Sequence, residues 1–188
     1  PGSRPGEIRR LAEPLAQAAA RLRAEGHAGA LRMILAPALS PEARAFAEVA
    51  ARRAGIPLLA GDPAHGAAPL LGAFDLALCA SGTASLEAAL AGAAPVVAYR
   101  LDPLSHALAR RLVRTPHIAL PNVLLGRRAY PELVQDEVSV EALAAAGRSL
   151  LAREESRLAL RDELRAVLQP PSGLPFGERV AGLMDEWL

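Results

Sequence analysis

The stretch Phe74-Asp75-Leu76-Ala77-Leu78-Cys79-Ala80, running directly into Ser81-Gly82-Thr83 and then an Ala/Leu-rich segment to Leu90, decides the fold. A short apolar run closed by a Ser-Gly turn reads as a buried strand, and the segment after it as a helix. The same alternation extends outward in both directions. Residues 31–36 and 56–60 read as strands, with residues 41–54 as the helix between them. Residues 95–99 repeat the strand pattern and residues 104–113 the helical one. Further upstream, residues 5–25 place Ile8, Leu11, Leu15, Ala18, Ala19 and Leu22 at helical spacing. Gly26 stops that helix, and Pro14 is expected to kink or divide it. Between 118 and 135 the pattern breaks into short pieces, and from Ser139 onward two or three helices finish the chain.

Strand alternating with helix at these intervals specifies an α/β fold, a Rossmann-like parallel sheet with helices on both faces. Such sheets bind ligands beyond the carboxyl ends of their strands. The low aromatic share, 3% against 52% hydrophobic residues overall, favours this reading over a β-sandwich, whose core draws on larger side chains. Residues 1–168 read as one domain. Residues 169–175, rich in Pro and Gly, read as a linker to a last helix at about 176–188. The chain opens on Pro1-Gly2-Ser3-Arg4 directly ahead of a helix. A turn of this kind normally follows a strand, so a strand ahead of Pro1 is expected.

Net charge of +1 gives no bulk electrostatic reason to expect a nucleic-acid partner. A single cysteine, Cys79, allows neither an internal disulfide nor a cysteine-based zinc site. No apolar run approaches the ~18 to 20 residues needed to span a bilayer, so a cytoplasmic location is expected. The four histidines, His27, His65, His106 and His117, have no evident catalytic partner and read as surface or packing residues. Residues 108–114 read as an amphipathic helix packed on the sheet, with contact to an anionic membrane surface as a second reading.

Both glycine turns carry chemistry. A helix N-terminus presents unpaired N–H groups and about half a positive charge, so it accepts phosphate without special side chains. Gly2 permits close backbone approach, Ser3 offers a hydroxyl, and Arg4 a planar cation suited to phosphate oxygens. Ser81, Gly82 and Thr83 stand between a strand and a helix, the context that gives such a turn meaning. Glu87, four residues past Thr83, returns to the same helix side and is placed to accept hydrogen bonds from ribose hydroxyls.

Three strings, PGSRPGEIRRL, CASGTASLEAALAGAAPVVAYR and ARRLVRTPHIALPNVLLGRRAYPELVQ, occur in order with spacings that resemble the C-terminal half of lipid-A-disaccharide synthases. The resemblance runs from Pro1 to about Leu168. It implies the C-terminal domain of the two-Rossmann-domain GT-B architecture. The implied reaction transfers 2,3-diacylglucosamine from UDP-2,3-diacylglucosamine to lipid X, giving the β-1,6 lipid A disaccharide and UDP. No metal or other cofactor is implied. Position by position, Gly2, Ser3 and Arg4 fall at the donor diphosphate, with Arg4 countering the charge of the leaving UDP. Ser81, Gly82 and Thr83 would form a second cradle and Glu87 the ribose contact. Asn122 of the Pro121-Asn122 element is implied in activity. Glu132 and Gln135 match a Pro-Glu-Leu-x-Gln element, with Gln135 placed to bond sugar hydroxyls or phosphate. Smaller residues at Ala93-Ala94-Pro95, and His106 and His117 where aromatics are common, depart from the family pattern.

The acceptor side and the general base would belong to an N-terminal domain outside this chain, so these residues alone are expected to be catalytically silent. Lipid substrates imply peripheral contact with the inner membrane, and the resemblance also implies a homodimer. The alternatives are another GT-B UDP-sugar transferase or epimerase, or a non-catalytic nucleotide-sugar-binding module.

Overall fold

The computed structural model describes residues 1–102 and 116–169. The expected helix at 104–113, with His106 and the basic residues of 108–114, therefore lies outside the described residues, as does the expected C-terminal helix at about 176–188. Among the described residues, no helix is long and apolar enough to cross a membrane.

Helix α1 (Pro5–Ala24) buries Ile8, Leu11, Leu15, Ala18 and Leu22 as expected, whereas Ala19 is only partly buried. Pro14 does not divide it. A proline inside a helix costs roughly 3 kcal/mol. Each fully buried Leu or Ile returns roughly 1.5–3 kcal/mol, and four of them on this stripe outweigh the loss.

The strands form two parallel sheets. In the smaller, β1 (Met33–Leu35) pairs with β2 (Leu58–Ala60), and α2 (Pro41–Arg53) connects them, capped by the Ser40 hydroxyl on the Ala43 N–H. In the larger, β3 (Leu76–Ala80), β4 (Ala94–Tyr99) and β5 (Glu132–Val134) run in the order β3-β4-β5. Among the described residues, the remaining α-helices are α3 (Ala68–Leu71), α4 (Thr83–Ala91), α5 (Leu120–Leu125), α6 (Val140–Leu151) and α7 (Glu154–Leu168). The α/β reading with parallel strands flanked by helices holds. Helix α1 packs on α2, α6 and β3, while α4 packs on β3 and β4 with α7 against it.

Two sequence expectations need correction. The strand at 76–80 is not the most buried: Leu76, Ala77, Leu78 and Cys79 are half-buried, whereas β4 is buried from Ala94 to Ala98. Five successive buried residues alternate between faces, so both faces of β4 are covered. Among the described residues, strand β3 pairs on one side only. Its other side faces a cleft whose far wall includes Leu31, Met33 and Ile34, and Pro1 also lines that cleft. The second correction is β5, which sequence periodicity missed because its first residue, the charged Glu132, points into the interior.

Candidate functional site

The two glycine turns meet. Pro1, Gly2, Ser3 and Arg4 line one wall of a cavity of about 820 Å³, and Ser81, Gly82, Thr83 and Glu87 line another. The second group lies just past the carboxyl end of β3, the expected edge for a ligand. Ile118 and Leu120 also face this cavity.

The donors of the second turn are not equivalent. The Ser81 N–H donates to the Ala98 carbonyl (3.0 Å), and the Ser81 hydroxyl donates to the Ile118 carbonyl (2.7 Å). A serine hydroxyl has a single proton, so Ser81 has no donor left for a phosphate. Its role is to fix the turn. Gly82 adopts φ +152°, within the range that favours glycine, and a side chain added to it would meet open space. No side chain caps α4; the Ser85 N–H is bonded to the Gly82 carbonyl (3.1 Å), so the N–H groups of Thr83 and Ala84, which line the cavity, remain as an anion cradle.

The first turn is already occupied by an anion. Glu7 Oε2 accepts from the Ser3 and Arg4 N–H groups (both 3.3 Å), and Glu7 Oε1 lies 3.5 Å from Arg4 Nη1. A Cβ on Gly2, whose φ is +111°, would come within 2.8 Å of Glu7 Oε2. The close approach that Gly2 permits is thus filled by the protein's own carboxylate. Sequence reasoning missed Glu7, although the spacing Arg4-x-x-Glu7 matches the glutamate half of a capping box. Apart from this pairing the Arg4 side chain is 81% exposed, at the cavity's edge.

Glu87 is half-buried and lines the cavity. The other three expected site residues do not line this cavity. Asn122 is fully buried on α5: its Oδ1 accepts from the Ala129 and Tyr130 N–H groups (2.9 and 2.8 Å). Its Nδ2 donates to the Tyr130 carbonyl and to Glu132 Oε1 (both 2.8 Å). Glu132, 6% exposed, also accepts from the N–H groups of Ile118 (3.2 Å) and Ala119 (3.0 Å). His117 Nδ1 lies 4.0 Å from the same carboxylate without a hydrogen bond. Gln135 adopts a left-handed φ of +52°; its Oε1 accepts from the Leu101 N–H (2.7 Å) and its Nε2 donates back to the Leu101 carbonyl (3.4 Å). Its own carbonyl accepts from the Arg100 guanidinium. The amide of Gln135 is therefore engaged in holding the backbone after β4.

Cys79 faces the cleft, and removal from water pushes its thiol up to about 12. It is a protonated, unreactive thiol at neutral pH.

A family model described as lipid-A-disaccharide synthetase matches residues 1–170. The chain is 41% identical over 188 residues to the lipid-A-disaccharide synthase of Anaeromyxobacter sp. (strain K), covering 98% of this chain and 48% of that protein. It is 48% identical over 148 residues to the enzyme of the same name from Azotobacter vinelandii, covering 78% of this chain and 38% of the relative. A third relative of that name, from Sodalis glossinidius, is 43% identical over 171 residues, covering 90% and 44%. The chain thus spans about half the length of the curated relatives it matches.

Proposed function

This chain belongs to the lipid-A-disaccharide synthetase family, and from that premise we propose that residues 1–168 are the donor-binding domain of a glycosyltransferase. The donor is UDP-2,3-diacylglucosamine and the acceptor lipid X, with the acceptor pocket and general base in a separate N-terminal domain. The observation that carries this reading is the meeting of both glycine turns and Glu87 on one cavity beyond the β3 terminus. The open N-terminus of α4 takes the diphosphate. Arg4 reaches over from the opposite wall to counter charge building on the departing UDP, so the step runs without a metal. Glu87 accepts from the ribose hydroxyls. Acylated substrates call for work at a membrane surface, and the proposed location is the cytoplasmic face of the inner membrane.

Asn122, Glu132 and Gln135 enter this reading as residues that shape the loops around the site, because their polar atoms bond to neighbouring backbone. The test is titration of UDP into the protein and into Arg4→Ala. A loss of roughly tenfold or more is expected for removal of a charge-assisted contact; equal affinity sinks the assigned role. Competition between UDP-N-acetylglucosamine and the diacylated donor identifies the sugar, and indifference between them would contradict the lipid assignment.

A further inference from the structure

Glu132 presents a problem that the donor-binding reading does not solve. Its carboxylate is almost wholly removed from water, and among the described residues no guanidinium pairs with it. Arg128 is adjacent but donates to the Glu132 backbone carbonyl (2.6 Å), leaving the carboxylate to the neutral N–H donors of Ile118, Ala119 and Asn122. Burying an ionised carboxylate costs several kcal/mol, and an apolar residue of similar size would serve packing alone at less cost. What the carboxylate offers that a neutral amide does not is two acceptor oxygens and no donor of its own, so three converging donors can all be met. It takes the N–H groups of two successive residues, Ile118 and Ala119, together with the Asn122 amide.

The consequence runs one peptide further. With its N–H held by Glu132, Ile118 presents its carbonyl to the Ser81 hydroxyl at 2.7 Å. Ser81 is the residue that leads into Gly82 and the open N-terminus of α4. A continuous path thus runs from the β5 carboxylate through the Ile118 backbone to the Ser81 hydroxyl, and it ends at the anion cradle.

We propose that Glu132 is a positioning residue of the nucleotide site, acting through the Ile118 backbone and Ser81 to hold the α4 cradle in register. This rests on the reading of that cradle as the diphosphate site. Glu132 touches no substrate. Removing its charge should free the segment at Ile118, loosen the Ser81 bond and misplace the N–H groups that receive phosphate.

A double-mutant cycle tests it, with UDP affinity measured by calorimetry on the full chain and on Ser81→Ala, Glu132→Gln and the pair. Thermal melting runs beside it to separate folding from binding. Each single variant is expected to weaken UDP by about tenfold, and the pair by about tenfold rather than a hundredfold, since both cut one path. In the complete enzyme the loss should appear in KM for the donor with kcat little changed. A folded Glu132→Gln that binds UDP as the parent does overturns the proposal, and so do losses that multiply. Should Glu132→Gln fail to fold, Glu132→Asp, which keeps the charge and shortens its reach, replaces it in the same cycle. Arg4→Ala is the control. If it weakens UDP while the Glu132 variants do not, the positioning claim alone fails; if the parent does not bind UDP, the donor-site reading fails and this inference with it.

Discussion

Replacing Asn122 by alanine separates two accounts of that residue, direct contact with the donor and support of the loop around it. The side chain is fully buried and uses both amide atoms twice. Truncation leaves the Tyr130 N–H and the Tyr130 carbonyl without partners, reduces the Ala129 N–H to its bond with the Arg127 carbonyl (2.9 Å), and removes one donor from the Glu132 carboxylate. Each unsatisfied buried group costs about 1–3 kcal/mol. With partial relaxation and water entry the sum is about 4 kcal/mol, a large share of the 5–15 kcal/mol that holds most domains folded. For a domain of this size that corresponds to a fall in Tm of about 8–16 °C. Melting followed by circular dichroism measures it, with UDP affinity taken well below the transition. A variant with unchanged Tm and lost UDP binding would refute the structural role and return Asn122 to the donor.

Other outcomes follow from the same geometry. Glu7→Gln removes an internal anion from the Ser3 and Arg4 N–H groups, and UDP should bind about three- to tenfold more tightly at low salt; calorimetry showing no gain contradicts competition by Glu7. Gln135→Ala breaks the bonds to Leu101 while keeping the left-handed backbone, so stability should fall by about 1–2 kcal/mol with UDP affinity within about twofold. A larger effect on affinity than on stability would place Gln135 at the ligand. Cys79, pushed up to about 12, should react with iodoacetamide roughly thirtyfold more slowly in the native state than when unfolded, the smaller thiolate fraction being partly offset by a more nucleophilic thiolate, and rapid native labelling would contradict its position. The hydrogen bond from Arg21, with a further contribution from Arg148, holds the Glu25 carboxyl below its ordinary value of 4.5. A lowered native pKa adds stability above the unfolded value and loses it as pH falls through the native one. Melting of the parent against Glu25→Gln should therefore converge toward acid, and parallel curves would exclude the linkage.

The alternation of strands and helices was legible because Leu31, Ile34, Leu78 and Val97 sit in short apolar runs separated by turn residues. The glycine turns were legible for the same reason, as each stands beside a strand or helix boundary. What sequence could not show was where each polar atom points. Asn122, Glu132 and Gln135 share the composition of a ligand site, yet each bonds to backbone brought close only by the fold, such as Tyr130, Ile118 and Leu101. Glu7 escaped notice because its partner is the turn itself. Strand β5 was missed because a charged residue, Glu132, takes an inward position that periodicity assigns to an apolar one. The survival of α1 through Pro14 depended on tertiary burial, which local propensity does not contain.

The claim that nucleotide binds between the two turns is tested most directly by backbone amide chemical shifts recorded while UDP is added. The account predicts that Gly82, Thr83 and Ala84 shift most, that Ser3 and Arg4 follow as Glu7 yields its place, and that Tyr130 and Leu101 stay nearly still. Shifts centred on Leu101, Tyr130 and Gln135, with α4 unmoved, would contradict it.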